Sequence, residues 1–292
     1  GDRICYHGVL DMFRNPKPAA LVYASQQEEI PVLELSASMD IGEHPGCNRG
    51  KTWIYTNADS VRMYKNDRFI KEYRREDSPY RNLAHGPLLL DDFIGDAIEK
   101  GEDFKPAQAA MVKEILNLTA RHGLSHLPRK VYLMALRLVL FYHMKPQQAV
   151  TLYNRYVGDW GGASTAYRFE AYRDGKVVKE LVKEPMHKVQ LSVSASSVNL
   201  TEGKTYDAAS VRILAVDENG NVLSFFQEPV TFRTEGNIEL IGPQTVCLAG
   251  GMGGTYVKTS GGAGEGVLHI DCLQAGEYTI RFTIEKQETE EG

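Results

Sequence analysis

Three aspartates, Asp91, Asp92 and Asp96, follow the apolar run at 88–90. Clustered carboxylates are used in proteins for general acid/base catalysis and for binding hard cations. Apolar residues at 89, 93 and 97 have helical spacing and predict a helix, on which Asp92 and Asp96 would share one face. The alternative is the acid-rich start of a helix, where carboxylates favour the helix dipole and Asp96 lies in solvent.

Metal and cofactor sites are not predicted. His122 and His126 are four residues apart, but Gly123 between them indicates a helix end, and no H-E-x-x-H pattern occurs. The glycine-rich stretches 250–254 and 261–264 lack the lysine and hydroxyl residue of a phosphate-binding loop. We therefore expect neither a metal nor a cofactor.

Aromatic residues offer a different chemistry, because an exposed aromatic ring can stack on the apolar face of a sugar. Trp53, Tyr64 and Trp160 are the candidates. Trp53 falls on an apolar strand, which predicts a place in the core. For Trp160, which is flanked by glycines, exposure and burial both stay open.

Composition limits the class of protein. The chain has 292 residues, 42% of them hydrophobic, enough for two domains. The formal charge of -5 argues against nucleic-acid binding, and no apolar run approaches the length of a membrane span. The four cysteines are widely spaced and are predicted to be free thiols, although the pairing of Cys247 with Cys272 stays open.

Local patterns predict a strand-rich chain interrupted by helices. Hairpin turns are indicated at Asn66-Asp67, Asp174-Gly175 and Asn219-Gly220. Between the first two turns, helical spacing follows Pro106 and ends at Gly123, and further helices are predicted over about 128–143 and 146–158. The sequence therefore predicts a β-sandwich with a helical insertion, followed by a second sandwich.

Three stretches resemble the C-terminal part of glycoside hydrolase family 2 enzymes. Residues 8–20, with Arg14-Asn15-Pro16-Lys17 and Ala19-Ala20, resemble the R-x-P-K-x-A-A segment at the end of the family's catalytic barrel. Residues 54–61 resemble the V-Y-T/S-N-x-D-x-V strand of the first sandwich after the barrel, and residues 200–220 resemble a later sandwich. The resemblance extends over 1–73 and 166–285 and gives no role for the helices between.

This resemblance implies a mainly β fold with two immunoglobulin-like β-sandwiches, the first carrying the α-helical insertion, preceded by a short βα remnant of a TIM barrel. The expected segments are the end of the barrel at 1–30, the first sandwich at 31–73 plus 160–186, the helical insertion at 74–159, the second sandwich at 187–286 and a disordered tail at 287–292.

The resemblance also implies a function. The parent enzyme would hydrolyse terminal β-galactosides, with retention, through two glutamates that lie upstream of Gly1, so this chain would be a non-catalytic accessory region. It would have a structural role, shape the active-site entrance or mediate oligomer contacts. Candidates for the substrate rim are Arg3, Tyr6, His7, Asp92, Asp96 and Trp160.

Other functions stay open: a carbohydrate-binding module, a parent that is a β-glucuronidase, or catalysis by Asp91, Asp92 or Asp96 themselves. Expected partners are the rest of the parent's catalytic barrel, its carbohydrate substrate and a further copy in a homo-oligomer, with no nucleic acid and no membrane. We expect the bacterial cytoplasm rather than secretion.

Overall fold

The computed structural model describes residues 7–40, 42–44, 48–158 and 164–287. The chain forms two compact units. The continuous unit is Leu21–Pro185, and the split unit combines the described residues of Gly1–Ala20 with those of Met186–Gly292. The described ranges do not include the rim candidates Arg3, Tyr6 and Trp160, two of the four cysteines (Cys5 and Cys47), or the tail beyond Gln287.

The strands of the continuous unit form two antiparallel sheets around one core. They are β1 (Leu33–Leu35), β2 (Trp53–Thr56), β3 (Ser60–Lys65), β4 (Arg68–Arg74), β5 (Leu88–Leu89), β6 (Tyr167–Arg173) and β7 (Lys176–Lys183). One sheet has the order β1-β2-β5 and the other β4-β3-β6-β7. Leu33 and Ile54 of the first sheet and Met63 and Phe169 of the second are all 0% exposed in a single cluster. The fold is therefore a sandwich, as predicted.

Two of the predicted hairpins depend on residues that tolerate a positive φ. Asn66 and Asp67 between β3 and β4 have φ of 48° and 61°, and Asp174 and Gly175 between β6 and β7 have φ of 50° and 73°. A pair of positive φ values is the signature of the turn that matches strand twist. Both hairpins are confirmed.

Most of the helices lie between β5 and β6. They are α2 (Ala97–Gly101), α3 (Pro106–His122), α4 (Arg129–Tyr142) and α5 (Pro146–Tyr153), and a π-helical turn follows at Asn154–Gly158. Pro106 and Pro146 occupy the first helical position, and Gly123 ends α3 with φ 68°, which confirms the predicted helices. Among the described residues, none of the helices combines the length and the apolarity that crossing a membrane requires.

The predicted helix over 89–97 is wrong. Leu88–Leu89 is instead a strand that pairs with Trp53 and Ile54, and the Leu90 amide donates to the Thr52 carbonyl at 2.9 Å. Helix α2 begins only at Ala97, with Asp96 as its N-cap residue. A short apolar run fits a strand as well as a helix, and the unpaired edge of β2 decides the outcome in favour of the strand.

The split unit is almost entirely β. Its strands are β8 (Gln190–Ala195), β9 (Asn199–Glu202), β10 (Ala208–Val216), β11 (Pro229–Gly236), β12 (Ile238–Ile241), β13 (Thr245–Cys247), β14 (Met252–Thr259), β15 (Gly264–Cys272) and β16 (Gly276–Lys286). The sheets have the orders β12-β14-β10-β8 and β13-β11-β15-β16-β9. Strands β16 and β9 pair in parallel, whereas the other pairs are antiparallel.

The N-terminal segment up to Ala20 belongs to this unit. Helix α1 (Pro18–Ala24) begins at the predicted proline and continues past Ala20 into the sequence of the continuous unit. Before it, the Asn15 side-chain amide donates to the Gly253 carbonyl at 3.1 Å, and the Phe13 ring lies 6.1 Å from that of Tyr256. Residues 11–15 therefore pack against strand β14. Cys247 is exposed and Cys272 is buried, and both are free thiols.

Two turns in the split unit have the same D-x-x-x-N construction. In one, Asp217 Oδ1 accepts the amides of Asn219 and Asn221 at 2.9 and 2.8 Å, and Oδ2 accepts the Asn221 side-chain amide at 2.8 Å. Asp11 binds the amides two and four residues ahead and the Asn15 side chain in the same way. The fourth residue has a positive φ in each, 80° at Gly220 and 69° at Arg14.

Replacing Asp217 with alanine should lower the free energy of unfolding by about 2 kcal/mol, because two backbone amides and one side-chain amide lose their acceptor. Chemical denaturation measures this change. Asp271→Ala, at an exposed strand position, is the matched control and should change stability by less than about 0.5 kcal/mol. Equal losses in the two variants would contradict the role given to Asp217.

Candidate functional site

The predicted acidic residues lie in one irregular connection between β5 and α2, here called the acidic turn and defined as residues 90–96. Its three aspartates contact different elements. Asp91 and Asp96 pair with side chains of β4, and Asp92 pairs with side chains of α3. The three aspartates are close together in the sequence, but each contacts its own set of partners.

Asp92 is a buried structural anchor. Its Oδ1 accepts hydrogen bonds from the amides of Ile94 and Gly95 at 2.9 and 3.0 Å and from the Asn117 side chain at 3.0 Å. Its Oδ2 lies 2.8 Å from Lys113 Nζ. Four donors therefore share two oxygens, and the carboxylate fixes the bend of the acidic turn against α3.

The backbone around Asp92 is bound just as completely. Tyr73 of β4 donates its hydroxyl to the Asp92 carbonyl at 3.3 Å, and the same hydroxyl is 3.2 Å from the Asp92 amide. Asn117 Oδ1 accepts the Phe93 amide at 3.0 Å. Burial raises the pKa of the Tyr73 phenol well above its usual value, so the hydroxyl remains a neutral donor.

Asp91 forms an exposed ion pair with Lys71, whose Nζ is 2.7 and 2.9 Å from the two carboxylate oxygens. The same ammonium lies 4.8 Å from the centre of the Tyr73 ring. Such a pair stabilises the surface of the turn weakly, because both partners remain in contact with water.

Asp96 lies at the start of α2 and is about half exposed. Lys100 Nζ is 2.5 Å from its Oδ2, and Arg68 of β4 donates its Nε to Oδ1 at 3.0 Å. The hydrogen bonds from Lys100 and Arg68 lower the pKa of Asp96 from 3.8 to about 2. This carboxylate therefore stays charged throughout the ordinary pH range.

The acidic turn lacks the features of an acid/base centre. A general acid needs a pKa near the working pH, whereas Asp96 is held as an anion and Asp92 is bound by four donors. Across the described ranges, no group of three or more His, Cys, Asp or Glu side chains could hold a metal ion. The three aspartates instead link the acidic turn to β4 and α3 through ion pairs and hydrogen bonds.

Among the aromatic candidates, Tyr64 is half-buried and its ring is covered by the Arg168 guanidinium, 4.2 Å from the ring centre. Trp53 was predicted to be in the core, but it is only half-buried and lies 5.6 Å from the Tyr80 ring. Tyr80 is 44% exposed. Trp53 and Tyr80 therefore form a partly exposed aromatic pair, whereas the Tyr64 ring is covered by Arg168.

The remaining rim candidate within the described residues is His7, in the split unit. It is exposed, and its carbonyl accepts a hydrogen bond from Lys17 Nζ at 3.1 Å. Lys17 thus holds the chain ahead of the D-x-x-x-N turn. This contact gives the lysine of the Pro16-Lys17 motif a structural role.

Two polar groups of the continuous unit were not singled out from the sequence. The buried His85 ring lies 2.6 Å from Glu28 through Nε2, a hydrogen bond that lowers the pKa of the Glu28 carboxyl. Asn57 donates to the carbonyls of Gln27 and Ile30 at 2.6 and 2.8 Å and accepts the Val32 amide at 2.8 Å. Asn57 lies in the strand motif at residues 54–61, so the sequence carried a signal for it. The sequence carried no such signal for His85.

Asp92→Ala should lower the free energy of unfolding of the continuous unit by about 3 kcal/mol, since it leaves Lys113 and two turn amides without their acceptor. Asp91→Ala removes a neighbouring carboxylate that is exposed, and should cost less than about 1 kcal/mol. Denaturation of both variants makes the comparison. A loss for Asp91→Ala as large as that for Asp92→Ala would rule out the anchor role.

No family model matches the chain. A β-galactosidase of Thermoanaerobacter pseudethanolicus is 27% identical over 274 residues, which cover 92% of this chain and 28% of that relative. A β-galactosidase of Rhizobium radiobacter is 30% identical over 129 residues, covering 44% of this chain and 92% of the relative.

A solved structure shares the fold. The glycosyl hydrolase family 2 member from Bacteroides cellulosilyticus superposes with a TM-score of 0.55 at 12% identity, covering 96% of this chain and 32% of that one. The chain thus spans between a quarter and a third of the length of its long relatives. Together these similarities show that the chain belongs to glycoside hydrolase family 2 and is a C-terminal portion of an enzyme of that family.

Proposed function

We propose that the chain is a non-catalytic accessory region of a β-galactosidase-like enzyme. The observation that carries the proposal is the similarity along 92% of the chain to only 28% of a β-galactosidase. The geometry of the acidic turn supports it, because the carboxylates there are bound to lysine, arginine and backbone amides. A region built this way stabilises and shapes an enzyme without taking part in bond cleavage.

In this proposal the parent enzyme cleaves terminal β-galactosides with retention. That reaction needs two carboxyl groups about 5 Å apart, one as acid/base and one as nucleophile. Both belong to the rest of the parent enzyme. This chain's two sandwiches would support the catalytic barrel, and its loops would contribute to the entrance of the site.

The first test measures hydrolysis of chromogenic β-galactoside, β-glucuronide and β-mannoside. This 292-residue chain is compared with the longer enzyme that contains it. Turnover of β-galactoside by the longer enzyme alone is the expected result.

Two outcomes would change the proposal. Turnover of β-glucuronide in place of β-galactoside would retain the accessory role and change the parent's substrate. Turnover by the 292-residue chain in every purified fraction would overturn the accessory role.

Among the rim candidates, we propose Asp96 as the described residue that can reach a sugar hydroxyl. It is about half exposed, stays ionised, and is held in place by Arg68 and Lys100. Asp92 is a poorer choice, because its oxygens are enclosed by four donors. The rim roles of Arg3, Tyr6, His7 and Trp160 remain predictions.

In the longer enzyme, Asp96→Asn should raise KM for the β-galactoside about tenfold with kcat unchanged, because a charged acceptor for the sugar is lost. The matched control is Asp67→Asn, which changes an acid that is 92% exposed and pairs with Arg168 at 3.5 Å. Its KM should stay constant. A constant KM in Asp96→Asn at unchanged melting temperature would remove Asp96 from the rim.

A carbohydrate-binding module is the second candidate function, and the half-open Trp53–Tyr80 pair is what favours it. Titration of this chain with soluble glycans distinguishes the two functions. Binding that disappears in Tyr80→Ala would favour the module, and so would binding that disappears in Trp160→Ala. Absence of binding to every glycan would leave the structural role.

A further inference from the structure

Residues 9–17 of the split unit form a closed loop, here called the docked loop. Its two ends are joined, because Leu10 and Pro16 form an antiparallel bridge and the Lys17 amide donates to the Val9 carbonyl at 2.9 Å. The D-x-x-x-N turn described above closes its tip with three hydrogen bonds to one carboxylate. Compact loops with joined ends hold a defined shape, so this one can act as a single body.

The tip of the docked loop is fixed on strand β14 by three contacts. Asn15, only 1% exposed, donates its side-chain amide to the Gly253 carbonyl at 3.1 Å. The Tyr256 hydroxyl donates to the Met12 carbonyl, and the Phe13 ring lies 6.1 Å from the Tyr256 ring. Because main-chain and side-chain groups both take part, the contacts set the orientation of the loop as well as its distance from the strand.

Strand β14 makes room for this contact at Gly254. A methyl group on Gly254 would lie 2.8 Å from Cγ of Phe13 and closer still to the carbonyl oxygen of Val211 on β10. Both separations are shorter than van der Waals contact, and glycine within a strand is typical of a close approach by another part of the chain. The Phe13 ring therefore occupies the space that a side chain would fill on an ordinary strand.

The docked loop also holds the chain ahead of it. Lys17 Nζ donates to the carbonyls of His7 and Gly8 at 3.1 and 3.4 Å. His7 is a rim candidate, and two further rim candidates, Tyr6 and Arg3, precede it by one and four residues. Four residues span at most about 14 Å when fully extended. The position of His7 thus limits where all three rim candidates can lie.

We propose that the sandwich formed by β8–β16 sets the position of these three rim candidates through the docked loop. Phe13, Asn15 and Tyr256 are then positioning residues, which act on the substrate through the rim and not by touching it. A misplacement of about 1 Å is enough to weaken a substrate contact measurably. The proposal rests on the proposed function, from which it takes the role of the rim.

The kinetic effect of a displaced rim differs from that of lost stability. Rim contacts bind the ground state and the transition state of the sugar alike, so their displacement raises KM and leaves kcat unchanged. A variant that is only less stable contains fewer active molecules, which lowers the apparent kcat at constant KM. The ratio of the two constants therefore separates positioning from simple support.

The test measures kcat and KM of the longer enzyme with a chromogenic β-galactoside. Tyr256→Phe removes only the hydroxyl that binds the Met12 carbonyl, and it should raise KM about fivefold, the equivalent of one hydrogen bond. Phe13→Ala takes the ring away from Gly254 and should raise KM at least as much. Phe13→Leu refills that space with an apolar side chain and should restore most of the original KM.

The matched control is Tyr206→Phe, which removes a hydroxyl from a tyrosine that is 58% exposed and whose ring lies 5.3 Å from Lys258 Nζ of the same strand β14. Its KM should equal that of the unmodified enzyme. An unchanged KM in both Tyr256→Phe and Phe13→Ala, with or without a fall in kcat, would overturn the positioning role and leave the accessory role standing.

Failure of the proposed function gives a different result. The unmodified longer enzyme would then leave the β-galactoside intact, or this 292-residue chain would hydrolyse it unaided. If the longer enzyme hydrolyses the β-glucuronide or the β-mannoside instead, the same comparison of KM values is made with that substrate, and the expected ratios between the variants are unchanged.

Discussion

The structure depends on supplying partners to backbone groups where the chain is neither helix nor strand. A buried amide without an acceptor costs as much as a lost hydrogen bond, so each irregular connection needs a local source of acceptors. Short carboxylates and amides serve that purpose in both units. Asp92 binds the amides of the acidic turn, Asp217 those of a turn after β10, and Asn57 both carbonyls and an amide ahead of β1.

This use of acids explains why a cluster of aspartates need not signal catalysis. A catalytic carboxyl must exchange a proton near the working pH, which requires a raised pKa or a shared proton. Asp96 shows the reverse, with its pKa lowered to about 2 by Lys100 and Arg68. Its contribution to stability is present above pH 4 and is lost as the pH falls through the folded-state pKa of about 2. At ordinary pH the ion pairs of Asp96 with Lys100 and Arg68 are therefore intact.

Much of the fold was predictable because its signals are local. Helix α3 begins at a proline and ends at a glycine, and the hairpins carry residues that accept a positive φ. The strand at Leu88–Leu89 was not predictable, since its identity depends on the free edge of a strand more than thirty residues earlier. The partners of Asp92 were not predictable either, because Asn117 lies 25 residues away in the sequence. Local spacing also cannot decide which apolar residues of α4 face inward: Val131 and Leu138 are buried, whereas Leu133 and Leu136 are exposed.

The split unit combines the first residues of the chain with the last ones, so it can fold only after the C-terminal strands have been synthesised. The Asn15 side chain bonds to a carbonyl 238 residues later, and β9 pairs with residues that end at Lys286. At ribosomal rates of about 5–20 residues per second, the N-terminal segment waits roughly 10–50 s for its site on β14. The continuous unit has no such delay, because its last strand is made soon after its helices. Newly made chains therefore hold one finished sandwich while the early segment remains without its partner strand, and this interval is when proteases and chaperones can act on it.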